Sequence, residues 1–495
     1  MKEALCFLGT CFLITCILYP AHLPAEVAKD GLRPDYLRLV QAYADALLEN
    51  DRDIYGEIHS PLFAVALDRK TVRLDSFPDI EGIRNGDRIF KGANPMHDQN
   101  LYQILYALTT ITGDSAYARE ADRALTFFFE NCQSPATGLM AWGEHIGWDF
   151  YNEAPCGKDC CHEFFRPWCL WERCYQLAPE ACLRFARGLW EHQIHDQQTG
   201  EFSRHARWSQ HQTGTQNEYP RHGGFYIMTW AKAYAATSEP LYARAVETLV
   251  DYFNASSSKI SGAIRCSSNP KREKIMWPES NLSLAVDLTN SAPVFEESLR
   301  TKMLKRASDT DNVYVSLKHD FQSDGIGFVA GADIDSLTAF QSGEWSHTQL
   351  WATGYGKATD AQVANLCFLR YQQLAKGKTK TDYKELIIGS ARRYLNSQPD
   401  LKSTIYPGPM GDVILHLLAA YALTGNRVYL DRADFFAGIA IDCFLTDGSP
   451  LPRASSQHTH YEAITRGDTM MMGLLQLWLI HNKPDLEVTL VYNDR

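Results

Sequence analysis

The chain of 495 residues is 45% apolar and 22% charged, ordinary values that exclude a disordered tail, a collagen-like fibre and a polytopic membrane protein. Lys and Arg number 48 against 59 Asp and Glu, and a net charge of −11 argues against a nucleic-acid partner. A locally basic cleft for an acidic substrate remains compatible with that balance.

The N-terminus reads as an address. Lys2 precedes an apolar run from Ala4 to Tyr19, followed by Pro20, Ala21, Pro24 and Ala25. This is the pattern of a secretory signal peptide, assigned to residues 1–28. The run is short for a spanning helix, and no later segment has 18 uncharged apolar residues, so no stable membrane insertion is expected. The expected location is secreted or periplasmic. Residues 29–495 show no linker and are read as a single catalytic domain.

Three later segments repeat one pattern. Leu101 to Asn131, Phe225 to Phe253 and Asp412 to Phe444 each hold an apolar helix ending at a Thr before Gly or Ser. A short polar turn follows, and a second helix carries Tyr117, Tyr242 or Tyr429 in its first turn. Gly113 and Gly425 suit the left-handed residue that closes a helix, and Pro240 suits the opening turn of the next. Further helices are expected at Pro34–Glu49, Glu163–Leu177, Pro179–His195, Val294–Ala307, Ala361–Leu374, Tyr383–Ser397 and Asp468–His481. The total is about fourteen, while 256–268 and 320–335 read as loops or a small hairpin. Repetition at this scale lets each pair bury its apolar face on its neighbours. Irregular repeat lengths, long aromatic loops and the lack of a polar capping repeat favour closure into an all-α (α/α)6–7 toroid over an open solenoid.

Ten cysteines follow the signal segment, six of them between Cys156 and Cys182. An exported context favours disulfides or unpaired thiols there. The alternative is a structural metal on Cys156, Cys160, Cys161 and His162; no other cofactor or metal is expected. Asn254-Ala-Ser and Asn281-Leu-Ser are glycosylation sequons.

Chemistry is expected in the loops. Four are rich in aromatic and ionisable residues: 92–100, 138–152, 202–226 and 457–468. Trp142, Trp148, Trp208 and Tyr151 can offer flat faces to pyranose rings, while Glu144, His145, Asp149, Asn152, Arg207 and His97 can bond hydroxyls or carboxylates. Between Arg204 and Tyr226 the chain gathers several cations beside two phenols. β-Elimination across a uronic acid needs that mixture: a cation neutralises the carboxylate, and a base then removes the adjacent proton. Arg221 and His205, helped by Asn217, are assigned to neutralisation. Tyr226 is the candidate base and acid, with Tyr219 and His222 as substitutes, and Gly223-Gly224 would let a sugar approach the backbone. Asn94 with His97, or Asn152 with His162, are alternative neutralisers. Hydrolysis instead requires two carboxylates, for which Glu144, Asp149, Glu153, Glu218, Glu344, Glu462 and Asp468 are available. Non-catalytic glycan binding and sugar epimerisation are further readings.

The loops Met140-Ala-Trp-Gly-Glu-His145, Ser203-Arg-His-Ala-Arg-Trp208 and Pro220-Arg-His-Gly-Gly-Phe-Tyr226, together with the helix pairs, resemble secreted bacterial (α/α)-toroid carbohydrate-active enzymes over most of residues 34–482. Within that group the chain is most similar to polysaccharide lyases acting on polyuronates such as glucuronan and alginate. The resemblance implies an acidic polysaccharide as substrate, and Asn217, His205, Arg221 and Tyr226 in the roles given above.

Overall fold

The computed structural model describes residues 34–50, 52–83, 85–162, 166–211, 214–322, 325–341, 346–351 and 358–495. The signal segment and Glu344 lie outside them. The described residues hold fourteen α-helices: α1 Tyr36–Asn50, α2 Gln99–Thr112, α3 Ala116–Asn131, α4 Trp171–Leu177, α5 Pro179–Gly188, α6 Pro220–Thr237, α7 Pro240–Ala255, α8 Pro278–Ser291, α9 Glu297–Ser316, α10 Asp360–Gln373, α11 Lys378–Leu395, α12 Pro407–Thr424, α13 Arg427–Phe444 and α14 Gly467–Asn482.

Local chemistry sets their ends. Gly113 and Gly425 close α2 and α12 at φ 79° and 67°, where a side chain would be strained. Proline opens α6, α7, α8 and α12, where its missing N–H costs no hydrogen bond. The expected helix at Pro179–His195 divides, since Leu189–Gln193 winds as a π-helical turn. Helix α8 was not foreseen, and α9 begins three residues later and ends nine later than the expected Val294–Ala307.

The helices pack as seven hairpins, α2 with α3, α4 with α5, and so on to α12 with α13, while α14 pairs with α1. Helices α4, α6, α8, α10, α12, α14 and α2 touch in succession, and the α2–α3 hairpin meets α4 through α3, which completes the ring. The inner helices are apolar nearly all round: in α12 fifteen residues, from Pro407 to Tyr421, are buried. The architecture is therefore the toroid of seven pairs.

Each outer helix returns to the next inner helix through a long loop, so these loops gather on one face, the mouth. Short strands brace them: β1 Ala66–Leu67, β2 Gly92–Ala93, β3 Ile146–Asp149, β4 Ala154–Gly157, β5 Cys161–His162, β6 His205–Ala206, β7 Ile275–Met276, β8 Ala332–Asp333 and β9 Tyr461–Glu462. The pairings are β1–β9, β2–β3–β4, β5–β6 and β7–β8, all antiparallel. The β5–β6 register sets His162 opposite His205.

Residues 488–495 run along the axis of the ring. Val491 and Gln103 of α2 exchange hydrogen bonds of 3.0 and 2.6 Å. Tyr492 donates to Asp412 of α12, the Asp494 carboxylate accepts from Thr469 of α14, and Arg495 binds Ser283 and Asp287 of α8. Asp494 also forms ion pairs with Arg166 and Arg466.

The ten cysteines from Cys132 onward are all free thiols. Asn281 is 1% exposed, and its amide donates to Ile264, which seals that sequon from modification in the folded chain. No helix among the described residues is long and apolar enough to cross a membrane.

Candidate active site

Two mouth loops, α3–α4 and α5–α6, bring Glu144, His145, His162 and His205 together, with one donor atom from each within 4.8 Å of the others. Strand pairing does the positioning: β3 begins just after His145, and β5 lies on β6. Gly143 permits the approach, because a Cβ there would sit 2.4 Å from the His162 carbonyl oxygen and φ is +105°.

Each imidazole is gripped from behind. His145 Nδ1 lies 2.9 Å from Asp87, which also binds Lys158. His205 Nδ1 lies 2.6 Å from the Asn217 amide. His162 Nδ1 bonds Glu144, and its Nε2 lies 2.9 Å from Nε2 of His222. The free edges of His145 and His205 meet with Nε2 atoms 3.3 Å apart. Burial, with His162 and Arg204 adding repulsion, holds His205 down to about 3. Burial outweighs the Glu144 carboxylate and holds His162 down to about 4. Burial, then Arg221, holds His222 well below the ordinary value. These three rings are uncharged near neutral pH and retain lone pairs.

Three imidazoles and a carboxylate are the donor set of a divalent transition ion, and groups fixed behind the rings are what such a site needs. The residues therefore fit a metal. The cysteines expected for one do not join the cluster: the Cys161 thiol is turned to the Met140 carbonyl, and Cys156 sits on β4 opposite Gly147. Strand alternation sends Cys161 and His162 to opposite faces, so only the histidine reaches the mouth.

The cations of the site are arginines. Arg204 lies over the Tyr219 ring at 4.2 Å, and its buried Nε and Nη1 have no hydrogen-bond partner. Arg221, in the first turn of α6, is likewise without a partner at Nε. Burial lowers its pKa, opposed chiefly by Glu279. Arg272 donates to the Tyr219 hydroxyl from the α7–α8 loop.

Several expected site residues are elsewhere. Tyr226 is 0% exposed among Phe202 and Trp230, so no sugar reaches its phenol. His205 is not a neutralising imidazolium, since it stays uncharged. Trp142 is also 0% exposed, packed on Trp168, Phe128 and Phe185. Trp148 is buried in β3. His97 is buried, held down to about 3 by that burial and by Arg166. Asp149 caps its own turn through Tyr151 and Asn152, and the Asn152 side chain donates back to it. Gly223 and Gly224 serve helix packing: Cβ atoms there would meet Phe253 at 2.4 Å and Asp287 at 2.7 Å. Arg207 and Trp208 stay at the rim, Arg207 3.8 Å from Asp159. Asp87 and Arg272 were not anticipated, because single charged residues in long loops carry no periodic signal.

Residues 60–256 match the model of a family described as periplasmic pectate lyase, less than half of the chain but including every residue of the cluster. Among solved structures, the cellobiose 2-epimerase of Bacillus thermoamylovorans is similar at 10% identity and a TM-score of 0.47, over 89% of this chain and 98% of that one. An unsaturated glucuronyl hydrolase specific for heparin is 12% identical, with a TM-score of 0.47 over 92% and 99%. A family 76 glycoside hydrolase (mannosidase) of Bacteroides thetaiotaomicron is 11% identical, with a TM-score of 0.46 over 90% and 98%.

Proposed function

We propose that this protein is an exported lyase that cleaves a uronate polysaccharide by β-elimination at the mouth of the toroid. The observation that carries the proposal is the pair Arg204 and Arg221, whose buried guanidinium N–H groups lack partners beside a cluster of uncharged imidazoles. A buried guanidinium N–H without a partner is costly unless a ligand accepts from it. A sugar carboxylate fits that need, and neutralising it acidifies the proton on the adjacent carbon. Tyr219, its hydroxyl beside Arg272, is the base that takes that proton; the double bond forms as the C–O bond to the neighbouring sugar breaks, and the same hydroxyl returns the proton to the departing oxygen.

Glu144, His145, His162 and His205 would hold a divalent ion, which when bound supplies Lewis acidity to the same carboxylate. Asp87, Asn217 and His222 keep the rings oriented. The match to a pectate lyase model over residues 60–256 supports the elimination reading and makes pectate the first substrate to test, beside glucuronan and alginate.

Hydrolysis is less well supported, because it needs two carboxylates and Glu144 alone of its described candidates joins the cluster. Glu153 accepts from the Glu57 and Ile58 backbones, Glu218 from Tyr252 and Ser268, Glu462 from Arg88, and Asp468 from Asn100 and Thr469. Elimination leaves a conjugated double bond, so purified protein should raise ultraviolet absorbance on at least one of the three polymers. A chelator should abolish the rise, and a first-row divalent ion should restore it. Reducing ends without new absorbance would overturn the elimination reading, while full activity in chelator would remove the metal from it.

A further inference from the structure

Two guanidinium groups share one phenol. Arg204 covers the face of Tyr219 with its Cζ 4.2 Å from the ring centre, and Arg272 reaches the hydroxyl edge with its Cζ at 5.7 Å. Ring contact fixes one charge and a hydrogen bond fixes the other, both against the same Tyr219 side chain. Tyr219 is itself fixed: it lies 4.7 Å from Trp277 between ring centres, immediately before α6.

The segment presenting Arg272 is braced. Its backbone N–H donates to Asn269, and its carbonyl accepts from Ile275. Glu218 accepts from the Ser268 backbone, and β7 pairs with β8 just beyond. No carboxylate among the described residues pairs with Arg272, and its one hydrogen-bond partner is the neutral Tyr219 hydroxyl. In a chain of net charge −11, with most buried arginines in ion pairs, an arginine held half-buried at the mouth beside the unpaired Arg204 needs an anion from outside.

We propose that Arg272 is a specificity residue: it binds the carboxylate of the sugar next to the one held by Arg204 and Arg221, so that the site selects two consecutive uronates. The inference rests on the proposed function, and it predicts poor use of polymers in which uronates alternate with neutral or esterified sugars. Arg recognises carboxylate through paired N–H groups, which a point charge copies only in part.

The test uses the full chain with trigalacturonate and its methyl ester as probes. Calorimetric titration should show the wild type binding the free acid at least about tenfold more tightly than the ester. Arg272→Met keeps the apolar stem and loses the charge; it should weaken acid binding by about tenfold, leave ester binding unchanged and so narrow the discrimination by the same factor. Arg272→Lys should recover part of it. On pectate the loss should appear in KM, whereas a role confined to holding Tyr219 would appear in kcat. Acid binding unchanged in Arg272→Met, or an equal loss for acid and ester, overturns the inference while leaving the elimination reading intact. A wild type that binds neither trimer overturns the inference, and the elimination reading falls with it only if ultraviolet absorbance rises on none of the three polymers.

Discussion

Arg204 and Tyr226 show what a run of residues can and cannot disclose. Arg204, His205, Arg221 and His222 do converge on one site, because their loop folds over the start of α6, while Arg207 stays at the rim. Tyr226 belongs to the same run but not to the site. Five residues along a helix turn a side chain about 140° away from Arg221, and that direction is the core. The Trp142 ring fails as a sugar platform for a similar reason: Phe128, Phe129, Trp168 and Phe185 pack around it and bury it. If Arg204 neutralises the substrate carboxylate, Arg204→Ala should lower kcat/KM on the cleaved polymer by about 10²–10³, in the range for losing one stabilising donor. A fall of less than threefold would place the carboxylate elsewhere.

At the scale of the element, close packing overrides helix propensity. Gly411 lies inside α12, where alanine would normally gain up to about 1 kcal/mol. A Cβ at Gly411 would sit 2.6 Å from backbone atoms of Thr469 and Met470 on α14, which cannot yield without parting the helices. Overpacking of that kind costs about 1–3 kcal/mol or more, so Gly411→Ala should destabilise. Gly438 on α13 has open space around it, and Gly438→Ala should stabilise by about 0.5–1 kcal/mol. Denaturant midpoints of the two variants that moved in the same direction would contradict this account of the ring. Helix α8 escaped the sequence reading on related grounds. With eleven of its fourteen residues buried it has no polar stripe, and Ser, Asn and Asp among them hide the apolar pattern.

On the scale of the molecule, the buried segment 488–495 ties the inner ring together. Asp494 pairs with Arg166 at 3.1 Å and Arg466 at 3.0 Å, and Asp412 takes the other side of Arg466. Removing one partner of such a buried network strands the others, so Asp494→Ala should cost about 3–5 kcal/mol in chemical denaturation. Asp468 lies in the same polar core, and burial pushes its carboxyl up to about 7. The folded chain keeps this proton to about pH 7, whereas the unfolded chain releases it near pH 4. Its contribution is therefore intact below pH 4 and is lost as pH rises to about 7, a loss on the order of a few kcal/mol. Asp468→Asn cannot ionise, so its melting temperature relative to the wild type should rise between pH 4 and pH 7.5. A difference that stays flat or falls would show that the carboxyl is ionised throughout.

What the sequence determined by itself is local: helices paired by Pro and Gly punctuation, their approximate number, and loops loaded with cations and aromatics. Those features follow from spacings of three to five residues, which a linear reading can see. Only the tertiary structure decided that Glu144 and His145 meet His162 and His205, that Cys161 turns away, and that a polar-looking segment from Val488 to Arg495 fills the axis. These depend on strand register between distant loops and on buried polar groups finding partners hundreds of positions away, as Gln103 does with Val491 at a separation of 388. Ring closure sets such contacts, and no period along the chain encodes them.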